Sequence, residues 1–317
     1  MSSAPIADLS YRSYDGPLDE PNNRWWVISR MLIRQTFKKK SFWVWTGFAG
    51  INFYLIAIIL YFIESAADPR NPQSMAMIKA IVWKDIFVSA FGHMQLFLLF
   101  IALLAGAGSI ANDNRANALL VYLSKPCRKI DYLFGKWAGL AILISGVTFA
   151  QFTMFYLYGL MSYRDYGFLS QDPYLYPKLV LISIVPGVFY ASVVLGISSL
   201  FNQGRMAGAT FAGLYFITYF FTTLMLVVRV MAVQQGQKAT GFVNNLTYAS
   251  IDGVNFGIAK AILNTSGSVF GQNPRRSAAN VLVPPPNLWL FLVIGVAVSG
   301  LFLWIAWKRV RAVEVVG

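Results

Sequence analysis

The chain has 317 residues, of which 57% are hydrophobic and 12% charged, about half the charged share of soluble domains. That excludes a soluble globular fold, which could not enclose so much apolar surface. The 26 Lys and Arg exceed the 13 Asp and Glu by 13, and in so apolar a chain the excess reads as an orientation signal and an attraction to anionic lipid, with no nucleic acid implied. One cysteine, Cys127, and one histidine, His93, exclude an intrachain disulfide, a thiolate metal cluster and an HExxH zinc helix, so no metal site is expected.

Residues 1–22 are polar and have no apolar segment of the kind found in signal peptides, so a cytoplasmic tail is expected. Residues 23–317 read as one membrane domain. From Asn23 to Lys40 a helix would place Trp25, Ile28 and Leu32 on one face and Arg30 and Arg34 nearly opposite. That pattern predicts an amphipathic interfacial helix on the cytoplasmic leaflet, an anchor for the first span and a lever able to touch a cytoplasmic partner.

Six windows reach the roughly 20 apolar residues that a membrane helix needs. They are 41–63, 86–111, 137–160, 179–201, 207–228 and 287–307. All nine tryptophans lie near the ends of these windows, where an indole sits at headgroup level. Alternate connecting segments carry 16 Lys and Arg over 80 residues on the side of both termini, and 10 over 98 on the other. The positive-inside rule therefore puts both termini in the cytoplasm. Residues 229–286 form an external region of short external or re-entrant helices, closed by Pro284, Pro285 and Pro286.

Every Asp and Glu lies outside the six windows. Ion-coupled carriers keep a carboxylate or histidine within the membrane, so the reading places the energy source on a partner. His93, about two turns into the second window, has three readings: a hydrogen-bonded structural group, a pathway-lining residue or a metal ligand, with the first preferred.

The connection from Ser109 to Lys136 differs from a plain linker. Asp113 can cap a short helix that carries the apolar block from Ala118 to Leu123, and Pro126 ends it. A new helix starts near Lys129 and leads into the third window. The apolar block, flanked by Arg115, Arg128 and Lys129, suits docking into a groove of a soluble partner. The short segment Asn202–Arg205 reads as a tight turn or as a second, smaller contact. Within the spans, Tyr215, Thr218, Tyr219 and Thr222 recur at helical spacing, as do Thr148 and Gln151. These stripes serve interhelical packing, line a route for an amphiphile, or form the surface between two copies. Pro186-Gly187 marks a kink in the fourth span.

The order of an acid, Leu-Leu, Ser-x-Pro-x-Arg and Tyr-Leu-x-Gly-Lys resembles the first cytoplasmic loop of ABC type-2 exporter permeases, of the branch found near multicopper-enzyme maturation and gliding transporters. Asp113, Leu119, Leu120, Ser124, Pro126, Arg128, Tyr132, Gly135 and Lys136 stand at the matching positions; Asn117-Ala118 replaces the family's Gly-Thr, and Cys127 a more usual apolar residue. The resemblance implies an all-α, six-span permease in an inner or plasma membrane, working as two permease copies with two separate ATPase subunits that press on the loop 112–131. It implies no cofactor on this chain, with ATP and Mg held by the ATPase. The chain has no GxxxxGK[ST] loop of its own. Two rivals remain: an integral scaffold that recruits a cytoplasmic partner through the same loop, and an ion-coupled carrier.

Overall fold

The computed structural model describes residues 24–67, 70–116, 128–235, 240–265 and 283–310. Among them there are thirteen helices and no strand: α1 (Arg24–Phe37), α2 (Lys40–Ala49), α3 (Ile51–Ser65), α4 (Pro72–Lys79), α5 (Trp83–Gly106), α6 (Ala111–Arg115), α7 (Lys129–Ser162), α8 (Phe168–Gln171), α9 (Leu175–Ser198), α10 (Gly204–Gln234), α11 (Gly241–Leu246), α12 (Ile251–Leu263) and α13 (Leu288–Arg309).

Five helical segments are long and apolar enough to cross a bilayer: Trp83–Arg115, α7, α9, α10 and α13. The first apolar window, expected as one helix, is two. α2 and α3 meet at 45° at Gly50 and, taken as one bent pair, are long and apolar enough to be a sixth span. The Gly50 N–H turns to Gly47 O at 3.1 Å, which releases the Thr46 carbonyl from the helical ladder. Gln151 of α7 takes it up, donating from Nε2 at 3.1 Å, while Gln151 Oε1 accepts from the Tyr54 hydroxyl at 2.8 Å. A broken helix is tolerated within a membrane only where a neighbour satisfies the freed backbone group in this way. A Cβ on Gly50 would overlap Gln151 Oε1 and the Tyr54 ring, so any larger residue must shift the two side chains that hold the break.

α9 is the central pillar, with 72% of its most apolar stretch buried. It packs on α7, α5, α12 and α13. Gly187 makes the α7 contact close, since a Cβ there would stand 2.5 Å from Ala141 O, and α9 is one helix through Pro186. α10 and α13 are 11% and 17% buried over the same kind of stretch, so their apolar faces are left to lipid or to another chain.

The α5–α6 turn, the α9–α10 turn, and the start of α7 beside the end of α13 share one end of the bundle. Gly204 N–H donates to Asn112 Oδ1 at 3.2 Å, and Lys129 Nζ sits 4.5 Å over the Trp307 ring. This end, rich in Lys and Arg, is called the basic end below.

The segment read as external or re-entrant turns back into the bundle. Lys84, at the start of α5, donates to Asn264 O at 3.4 Å, and Asn255 Nδ2 donates to Gln95 Oε1 at 3.2 Å. At 1.5 Å per residue Gln95 is about 18 Å along α5 from Trp83. α12 therefore begins deep among α5, α9, α10 and α13 and rises to the far end, where Asn264 in the left-handed conformation (φ 48°) ends it.

Candidate functional site

At the basic end the connection between the second and third spans is held by its two stems. Asp113 on α6 accepts from Tyr132 Oη at 2.7 Å and pairs with Lys136 Nζ at 3.0 Å, both from α7. Lys136 also donates to Ser109 O at 3.0 Å. α7 starts where the sequence places it, with the Arg128 N–H donating to the Asp131 carboxylate at 3.1 Å, the N-terminal acid expected of a helix start.

α6 is tied down from its other side as well. Ser198, the last residue of α9, accepts from the N–H groups of Ile110 and Ala111 at 3.1 and 3.0 Å and donates to Ala107 O at 2.8 Å. One hydroxyl thus uses its single donor and both lone pairs across the α5–α6 break. Asn114 Nδ2 donates to Phe201 O at 3.3 Å, so the turn at Asn202–Arg205 is fastened to α6.

α1 lies along the start of α7. Ser29 Oγ donates to Gly135 O at 2.7 Å, and a Cβ on Gly135 would stand 2.7 Å from Trp25 O. Trp25 and Ile28 are half-buried and Leu32 is buried, while Arg30 and Arg34 are exposed. The apolar face read from the sequence is therefore seated on α7. Lys39, just past α1, donates to Leu104 O at 3.1 Å near the end of α5.

A family model described as ABC-2 family transporter protein matches residues 6–302. The chain belongs to the ABC-2 transporter permease family. No curated protein matches it. The permease's loop residues then divide in two. Arg115 and Arg128 are exposed, whereas Tyr132 and Gly135 are buried and Lys136 is largely so. The last three bear on α1, α6 and Asp113, which makes them a mount for the loop and not its outer surface. Leu119, Leu120, Ser124 and Pro126 lie outside the described residues.

The stripes within the permease's spans also separate. Thr148 and Gln151 are enclosed by the chain's own helices, Gln151 in the break of the first span, so neither presents a surface to a second copy. Tyr215 and Thr222 are buried, and Thr222 Oγ1 donates to Ser250 Oγ at 3.3 Å. Thr218 is partly buried and bonds to its own helix at Leu214 O. Tyr219 is 49% exposed.

One expectation needs correction. Scanning for apolar runs found no acid inside the membrane windows, but Asp85 is buried in the first turn of α5, and α12 carries Asp252, Asn255 and Lys260 in among the spans. A 13-residue helix is too short to register as a span, and its burial comes from packing that a linear window does not see. Lys260 Nζ donates to Tyr248 Oη and Val283 O, both at 3.2 Å, and lies 4.9 Å from the Phe256 ring centre. Deeper in, Gln95, Tyr190 and Asn255 form a buried polar group, with Tyr190 Oη 3.1 Å from Gln95 Oε1. His93, exposed, bonds through Nδ1 to Ser89 O at 2.9 Å. Sequence reasoning passed over Ser29, Ser198 and Asn112 as well. Ser198-Ser199 at the close of an apolar run was the one local signal available.

Proposed function

We propose that this permease is the membrane-spanning subunit of an ATP-driven exporter, moved by a separate ATPase that presses on the segment 112–131. The observation that carries the reading is the mount of that segment. Its stems, α6 and the start of α7, are joined through Asp113, Tyr132 and Lys136; Lys136 also holds Ser109 past the end of α5, and the neighbouring Gly135 and Asn112 hold α1 and the α9–α10 turn. A push on the loop is thereby shared among five elements instead of bending one connection.

In this reading the basic end faces the cytoplasm of a cell whose inner or plasma membrane holds the protein, with both termini inside. Arg115, Arg128, Lys308 and Arg309 at that end agree with the positive-inside rule. Two permease copies and two ATPase subunits make the working unit, and ATP and Mg are bound on the ATPase. The lightly buried faces of α10 and α13 are the surfaces available to a second copy. Leu119 and Leu120 supply the apolar knob.

The test is co-expression of the chain with its ATPase after Leu119→Asp and Leu120→Asp. Loss of co-purification, with the variant still inserted and monodisperse, is expected. Undiminished co-purification would overturn the docking assignment.

A further inference from the structure

Between α5, α10 and the first turn of α12 lies a concavity of about 220 Å³, and its walls include His93, Tyr215, Phe216, Tyr219 and Asp252. The loop mechanism makes no use of it. Asp252 Oδ1 is buried and has no hydrogen-bond partner among the described residues. The ion pairs found among those residues join Lys136 to Asp113 and Lys178 to Asp172, so Asp252 is left without a counter-ion. Around it stand aromatic rings: Tyr215 and Tyr219 lie parallel within 4° at 6.4 Å, and Phe216 meets Tyr215 edge-on at 5.5 Å.

The chemistry of this wall selects its occupant. Nδ1 of His93 lies 2.9 Å from the Ser89 carbonyl, so that nitrogen is engaged within its own helix. An anion would meet a carboxylate, and an uncharged ligand without a donor would leave Asp252 Oδ1 buried and without a partner, which is costly. A hard metal ion needs about six oxygen ligands, and the cavity offers one carboxylate and two phenols. An organic cation needs little more than an anion and aromatic faces. The volume admits a head group and no more, while Phe216 and Phe220 leave 48% and 64% of their surface exposed on the adjoining side of α10.

We propose that this concavity binds the alkylammonium head of an amphiphile, with Asp252 as counter-ion, Tyr215, Phe216 and Tyr219 as the aromatic wall, and the tail along the apolar side of α10. Ser250 Oγ caps the first turn of α12 beside Asp252, accepting from Gly253 N–H at 3.0 Å. The site concerns binding to this chain and is independent of how the ATPase docks.

The test uses the full chain in uncharged maltoside micelles, with labelled decyltrimethylammonium in equilibrium dialysis. Saturable binding of one molecule per chain is expected, weakened tenfold or more by Asp252→Asn, several-fold by Tyr219→Leu, and unchanged by Asp165→Asn at an exposed position. Competition by tetramethylammonium would mark a soluble cation as the source, and competition by long-chain amines alone a lipid; both support the site. Tyr219 is half-exposed, so its variant keeps the test decisive if Asp252→Asn does not fold. Equal binding by wild type and the folded variants, or displacement by decanol as effective as by the amine, would overturn the proposal.

Discussion

Separating Asp113 from Lys136 tests whether the loop mount is energetically real. Their 3.0 Å contact leaves the two side chains 20% and 13% exposed. At that distance and an effective dielectric of 20 the gross attraction is roughly 5 kcal/mol. Desolvation of two mostly buried ions cancels much of it, leaving a coupling of about 1–3 kcal/mol. Asp113→Asn leaves Lys136 without its counter-ion and weakens the 2.7 Å bond from Tyr132, and Lys136→Met strands the carboxylate. Each single change is expected to cost about 2–3 kcal/mol, and the double change little more than either alone. The assay is a double-mutant cycle on reversible unfolding in mixed micelles. With the ATPase present, Lys136→Met is expected to leave co-purification intact and to reduce ATP-driven transport, because it loosens the mount and leaves the knob untouched. Additivity of the two substitutions within about 0.5 kcal/mol would refute the reasoning.

Further expectations concern the rest of the bundle. Gly50→Ala is expected to displace Gln151 and Tyr54 and destabilise the first span; Gln151→Ala, which on its own forfeits two bonds worth about 0.6 kcal/mol each, should relieve only part of that cost, as the same unfolding assay would show. Gly187→Ala should force α7 and α9 apart and lower the melting temperature clearly, whereas Gly213→Ala, with nothing within 4 Å of the added carbon, should not.

The spans were legible because the need for about 20 apolar residues is local, and five of the six windows match single helical segments. The start of α7 near Lys129 was equally legible, since Pro126 ends any helix just before it. The break at Gly50 was not, because the residue that makes it tolerable is about a hundred positions away. Asp113 and Lys136 could each be singled out by their place in a family-like loop, yet only folding reveals that they pair with one another. Gly135, read as part of the same motif, proves to be the seat of α1. α12 was the least legible element: the sequence left it among external or re-entrant helices, and only folding shows that it brings Asp252, Asn255 and Lys260 in among the spans.

Contact between the loop 112–131 and an ATPase is the step on which transport depends, and Cys127, the chain's single cysteine, lies inside that loop. A short thiol-directed photocrosslinker on Cys127, applied to the intact complex in membranes, should capture the ATPase, and Cys127→Ser should abolish the product. An intact complex in which Cys127 is labelled but yields no ATPase adduct would contradict the account.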